Sequence, residues 1–403
     1  MHTNTKKQSL VFLIILIMLV SLSTFSTNLY IPALPSMVLL FHSNSTSLQQ
    51  SLVSFTYGFA ICMILSGILA DTLGRKNTLL IGLFLYCVTS LLILFSQHLF
   101  SLILLRFLQG LGGCAGTVVA RVIVRDQFDD KTAVGILALL SSGMAIAFIA
   151  APLLGSMLVH FFSWKACFAL MLIIGASLFA FVLFIFREPV TIIKKIDLSH
   201  VLLQYTRALQ SKSFLIHTFA ISITWTGFFL IVMEYPFFIM KQLKFSVVAF
   251  GFIFSVILFA YLAGARLARY FSHRGIMSER AALYGIMIML LATFFGAVTL
   301  SEIQFHQSIL LAIAGFFYLL GLGIQVPNSQ FAAIPSAEKG SATMTSLFYF
   351  IEMIVVAALS GFFKSHFEMS GAVLWHVLFF LSLFLFFVYI AVVFYPPTLI
   401  LEK

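Results

Sequence analysis

Twelve stretches of this chain run for about twenty residues or more with almost no charge. They lie at roughly 10–40, 47–70, 77–96, 99–122, 133–159, 163–186, 213–240, 246–271, 280–301, 306–334, 341–364 and 370–395. About twenty apolar residues in a helix cover the hydrocarbon of a bilayer, and only helices or closed barrels can cross it with their backbone groups satisfied. Barrel strands alternate in polarity over about ten residues. These runs are longer and apolar on all sides, so an all-α membrane protein with twelve transmembrane helices is expected. The rest of the composition agrees: 62% of the 403 residues are hydrophobic and 9% are charged, against about 25% charged in soluble domains. A first run preceded by Lys6 and Lys7 looks like a signal peptide, but its length and the lack of a small-residue cleavage site mark it as a retained span.

The longest polar connection, 187–212, divides the runs into six and six. The expected organisation is therefore an N-terminal bundle (1–186), a linker loop (187–212) and a C-terminal bundle (213–403). The net charge of +10 is scattered through short connections and forms no basic domain, which argues against a nucleic-acid partner. With the N-terminus inside, eighteen of the 23 Lys and Arg fall on the inner side and four, Lys165, Lys241, Lys244 and Lys364, on the outer side. This bias predicts that both termini are cytoplasmic. Cys62, Cys87, Cys114 and Cys167 lie inside apolar runs without metal-ligand spacing. They are expected to be free, inert thiols. No nucleotide loop, nucleophile triad or metal set is visible, so no enzyme activity, cofactor or metal is expected.

Charge inside a span marks function. Of thirteen acids only Glu234 and Glu352 fall within spans, and Arg106 is the only deep cation. Glu352 is a candidate proton site or contact for a cationic substrate; the alternative is a permanently protonated carboxyl bonded within the bundle. Glu234 lies near the outer end of its span, in a vestibule or gate or simply at headgroup level. Arg106 either acts on a neighbouring charge or snorkels to the surface. "GLGGCAG", 110–116, has the small-residue spacing of a helix contact. The histidines form no ligand cluster and receive no role.

Several motifs stand out. "GILADTLGRK", 67–76, joins spans 2 and 3, and a related basic cluster, "GARLARYFSHRG", follows span 8. "LLRFLQGLGGCAGTVVARVIVRD" lies at 104–126, "GMAIAFIAAPLLG" at 143–155, "NLYIPALPSM" at 28–37 and "KGSATMTSLF" at 339–348. Together they resemble the signature motifs of the major facilitator superfamily, and the helix 1 motif resembles that of its Bcr/CflA group of drug:proton antiporters. The resemblance implies a monomeric, multi-pass protein of the bacterial inner membrane that exchanges protons for hydrophobic or cationic small molecules. It implies a gate at Gly67, Asp71, Gly74, Arg75 and Lys76, where Gly67 permits close packing and Gly74 a tight turn. Topology signalling alone is the alternative reading of that loop. It also implies a helix 5 motif at Gly143, Pro152 and Gly155, with Ala151 replacing the usual Gly. Substrate-cavity residues would be Asn28, Tyr30, Arg106, Gln109, Phe228, Phe229, Tyr235, Gln325 and Asn328. Arg106 would steer the protonation of a nearby carboxylate or meet an anionic substrate. The group usually has an acid at Asn28, which leaves Glu352 and then Glu234 to couple protons. The rival expectations are a metabolite or siderophore carrier with altered coupling, and a membrane sensor without transport.

Overall fold

The computed structural model describes residues 10–188, 198–299, 305–333, 341–367 and 371–394. Every regular element in them is helical. Twelve helical stretches are long and apolar enough to cross a membrane. The first is α1 (Leu10–Leu29), a 3₁₀ turn (Ile31–Ala33) and α2 (Leu34–Leu40). It was expected as one helix. Pro32 and Pro35 remove two backbone donors in succession, which ends α1 and restarts the chain as α2. The next spans are α3 (Ser45–Thr72), α4 (Arg75–Leu94), α5 (Leu99–Gln127), α6 (Asp130–Phe161) and α7 (Trp164–Phe184). Within the expected linker loop, 198–210 form a further helix, α8 (Leu198–Gln210). Then follow α9 (Lys212–Phe237), extended by a π turn (Phe238–Gln242), α10 (Val247–His273), α11 (Ser278–Thr299), α12 (Phe305–Ala333), α13 (Ser341–His366) and α14 (Gly371–Phe394). An even number of crossings places the start of α1 and the end of α14 on one face, called here the terminal face. The opposite face is the distal face.

Two buried clusters organise the packing. One gathers α1 to α7 and takes in Phe229, Met233, Phe237, Val356 and Ala357 from later helices. The other gathers α9 to α14 and takes in Ile31, Phe148 and Ala208 of α8 from earlier in the chain. The seam between them is closed by side chains that each cluster lends to the other. Trp225 packs against both.

The glycine-rich stretch of α5 serves close helix contact, as expected. A methyl on Gly110 would meet the Phe55 carbonyl, one on Gly112 would lie 2.6 Å from the Gly82 carbonyl, and one on Gly116 would lie 2.8 Å from the Leu19 carbonyl. Thus α3, α4 and α1 all approach α5 backbone to backbone, where dispersion replaces the hydrophobic effect that lipid cannot supply. The helix 5 motif does the same for α6. Gly143 accommodates Ile17, and Gly155 accommodates the Leu29 carbonyl freed where α1 breaks. Pro152 lies inside α6, and its carbonyl is 3.2 Å from a methyl built on Gly251 of α10. All four cysteines are free.

Candidate transport site

The loop between α3 and α4 turns on Gly74, whose φ of +88° suits glycine. Arg75 then organises the terminal face. Its Nη2 pairs with Asp71 at 3.0 Å, its Nε with Asp126 of α5 at 2.9 Å, and its Nη1 donates to the Ala70 carbonyl at 2.8 Å. Glu188, just after α7, caps α4. Its carboxylate accepts the backbone N–H of Arg75 at 3.0 Å and of Lys76 at 2.8 Å. A carboxylate on the free N–H groups of a helix start is a stabilising arrangement. A methyl on Gly74 would come within 2.9 Å of this carboxylate, so the glycine serves the cap as well as the turn. Lys76 Nζ donates to the Leu183 carbonyl at 3.0 Å, which ties α4 to α7 again. Gly67 differs from expectation. A methyl there meets nothing within 4 Å, so no close packing occurs at Gly67 in this conformation.

Across the distal end of the seam lies a second polar group. Lys364 forms a buried ion pair with Glu234, and Gln49 of α3 donates to the Met233 carbonyl at 2.7 Å and reaches Glu234 at 3.4 Å. The sequence reading placed Lys364 at the end of its span on the outer side and gave it no partner; it lies in the last turn of α13 and is only 4% exposed. Carboxylate and ammonium neutralise one another, which makes both tolerable in an apolar setting. On the other side of the seam, Ser255 of α10 donates to the Ile149 carbonyl of α6 at 2.8 Å.

Between these two ends the seam is aromatic. Phe148 of α6 lies 5.5 Å from Phe228, which lies 5.3 Å from Trp225; Tyr261 of α10 is 6.0 Å from both Phe148 and Trp225. Glu352 of α13 lies within electrostatic reach of Tyr261. It is 3% exposed and has no ion pair or hydrogen-bond partner among the described residues. One turn earlier, Tyr349 accepts a hydrogen bond from Gln330 of α12 at 2.8 Å. A buried carboxyl near Tyr261 at this aromatic seam is chemically suited to an apolar cation: ring quadrupoles and a carboxylate attract the same charge.

The other expected cavity residues separate into two interiors. In the first, Arg106 is fully buried and does not snorkel. Its guanidinium lies 4.4 Å from the Tyr30 ring and 4.3 Å from the Phe55 ring, and Nη1 donates to Gln109 at 2.5 Å. Gln109 donates onward to Ser90 at 2.7 Å, and Tyr30 bonds Ser51 at 3.0 Å. Asn28 donates to the Thr24 carbonyl within its own helix at 2.8 Å. In the second interior, Tyr235 donates to the Leu311 carbonyl at 3.0 Å, and Asn328 to that of Ile324 at 2.7 Å. Gln325 donates to Ser329 at 3.2 Å; Ser329 also bonds Tyr389, which meets His217 Nδ1 at 2.9 Å. Phe229 joins the first cluster from α9. So Phe228 and Glu352 share the seam, whereas Tyr30, Gln109, Tyr235 and Gln325 brace helices within one cluster. Sequence reasoning gave no role to Gln49, Asp126, Glu188, His217 or Tyr389. Two of them carried a local signal: Asp126 closes the 104–126 motif, and Glu188 is an acid directly before Pro189 at the end of a span.

The model of the Major Facilitator Superfamily matches residues 16–360. The chain belongs to this superfamily. The uncharacterized MFS-type transporter YdgK of Bacillus subtilis is 26% identical over 383 residues, covering 93% of this chain and 94% of that protein. The multidrug transporter MdfA of Yersinia pestis (strain Angola) is 23% identical over 391 residues, again covering 93% of this chain and 94% of the relative. Among solved structures, the nucleoside transporter NupG has a TM-score of 0.76 at 15% identity, covering 94% of this chain and 98% of that one. The protein is thus a multi-pass membrane transporter of the major facilitator fold, similar over most of its length to a protein named as a multidrug transporter.

Proposed function

We propose that the protein exports hydrophobic, cationic small molecules from the bacterial cytoplasm in exchange for protons, as a monomer in the inner membrane with both termini cytoplasmic. The single observation that carries this reading is Glu352: a carboxyl buried at the aromatic seam with no cation beside it among the described residues. Such a group can hold either a proton or a cationic ligand, and exclusive occupancy by one or the other is the simplest form of exchange. The seam divides helices of 1–186 from helices of 213–403, and these act as the two rocking units, joined by 187–212. Glu234 with Lys364 and Gln49 forms the distal gate. Asp71, Arg75, Lys76, Asp126 and Glu188 form the terminal-face gate.

Resistance tests this directly. Cells lacking their main exporters and carrying this protein should accumulate less of a lipophilic cation such as ethidium than cells carrying Glu352→Gln at equal protein level. Equal accumulation would overturn the reading. A second reading, a carrier for a particular metabolite with altered coupling, is favoured by one feature: Asn28 stands where the resembling group has an acid, and Arg106 has no carboxylate beside it.

A further inference from the structure

The distal end of α9 does not finish as an α-helix. Phe238–Gln242 form a π turn, after which Leu243 donates to the Phe238 carbonyl at 3.1 Å and Phe245 to the Ile239 carbonyl at 3.1 Å. Lys244, between these two donors, has a φ of +56°. A lysine in the left-handed region is uncommon, because its Cβ crowds the backbone. The conformation has a visible result. Residues two apart on a helix point about 200° away from one another. Here Leu243 and Phe245 both line one cavity, while Lys244 between them is exposed.

That cavity has a volume of about 160 Å³ and lies between the end of α9 and the distal parts of α10 and α12. Its other walls are Tyr235, Phe238, Ile239, Ile253, Leu311 and Ala312. The only polar side-chain atom among the eight, the Tyr235 hydroxyl, is spent on the Leu311 carbonyl at 3.0 Å. A cavity of about 150 Å³ with such walls stays dry and takes up an apolar group as large as benzene. The part of any occupant that enters is therefore apolar.

The surroundings indicate its source. Ile253 is preceded by Phe252 on α10 and Ala312 is followed by Ile313 on α12, and Phe252 and Ile313 are both exposed. On spans of this kind, exposed apolar side chains face lipid. The cavity thus borders the hydrocarbon. The same turn also carries charge. Lys241 and Lys244 are exposed, and neither is in an ion pair among the described residues. Lys241 Nζ lies 5.6 Å from the centre of the Phe237 ring. Both stand at the distal end of a span, the level of lipid headgroups, where a lysine attracts anionic lipid.

We propose that this cavity holds part of an acyl chain of an anionic phospholipid, whose phosphate is met by Lys241 and Lys244 in the leaflet at the distal face. The lipid is a bound component of the protein, separate from the cargo and from the seam at Glu352. The proposal therefore stands or falls independently of the transport reading.

The probe is dioleoylphosphatidylglycerol, added to the purified, delipidated full-length protein in detergent. Dioleoylphosphatidylcholine has the same tails without net charge, and glycerol phosphate has the charge without tails. Thermal unfolding gives the readout. Phosphatidylglycerol should raise the unfolding temperature saturably. Phosphatidylcholine should need about tenfold more lipid for the same shift, and glycerol phosphate should give none. Lys241→Gln combined with Lys244→Gln should bring phosphatidylglycerol down to the level of phosphatidylcholine. Lys244→Gly suits the left-handed backbone, so it should fold at least as well as the wild type and still bind phosphatidylglycerol several-fold more weakly. Ala312→Phe fills the cavity and should remove the response to both lipids; if that variant does not fold, Ile253→Phe serves instead. Equal shifts with the two lipids would overturn the proposal, as would an undiminished response in the double lysine variant or in the filled cavity. Stabilisation by tetraphenylphosphonium that Ala312→Phe abolishes, with none by phosphatidylglycerol, would give the cavity to cargo and overturn it as well.

Discussion

Glu188 accepts the backbone N–H of Lys76 at 2.8 Å across 112 positions of sequence, so the end of α7 caps the start of α4. Glu188 thus ties the start of α4 to the segment that follows α7. Glu188→Gln should weaken the cap by about 1 kcal/mol and slow transport several-fold, with insertion unchanged. Turnover and thermal unfolding of the purified variant check this; a variant identical to wild type in both would remove Glu188 from the gate.

Asp71 pairs with Arg75 and is half-exposed, so it adds little to stability. Asp71→Asn should fold and insert normally yet transport several-fold more slowly. Normal turnover at equal protein level would reduce the loop to a topology signal.

The distal gate gives a sharper energetic test. Removing one member of a buried ion pair leaves a charge in an apolar site, which costs about 3–5 kcal/mol. Lys364→Met should therefore destabilise the protein strongly, and Glu234→Gln combined with Lys364→Met should recover most of that loss. Gln49→Ala, which cuts the bond from α3 to Met233, should instead leave stability nearly intact and expose distal seam residues to water-soluble thiol reagents. A double variant no more stable than Lys364→Met would show that the pair is not what holds the helix ends together.

The proposed orientation rests on the charge asymmetry and is open to labelling. In a background lacking Cys62, Cys87, Cys114 and Cys167, Ser163→Cys on the distal face should react with an impermeant maleimide in intact cells, and Thr206→Cys of α8 should not. The reverse pattern would invert the direction of every step proposed here.

The fold was readable because lipid leaves so few choices. Twelve apolar runs of sufficient length already imply twelve helices, and the glycines of 110–116 already imply close contacts. Local details were lost where two local effects compete. Pro32 and Pro35 break the first span although every neighbour is apolar. Residues 198–210 form a helix within a polar connection, where Ala208 is buried in the second cluster and Tyr205 packs against it, contacts that the local sequence does not reveal. The site was less legible for a different reason. Lys364 was counted only as an outer-side charge because it ends its run, and its partner is 130 positions away. Glu188, Gln49 and His217 likewise gain their roles from residues more than one hundred positions distant. Depth alone was enough to single out Arg106 and Glu352. The different surroundings of the two, the rings of Tyr30 and Phe55 and the seam between the clusters, required the packed structure.

The central claim is that Glu352 exchanges a proton for a cationic ligand. Its most direct test is proton movement itself. Purified protein in sealed proteoliposomes holding a pH-sensitive dye is given a lipophilic cation on the side that the orientation assigns to the cytoplasm. Wild type should answer each addition with proton release, whereas Glu352→Gln should bind the cation, or exchange it at equal concentrations, and release no protons. Undiminished proton release from Glu352→Gln would contradict the account.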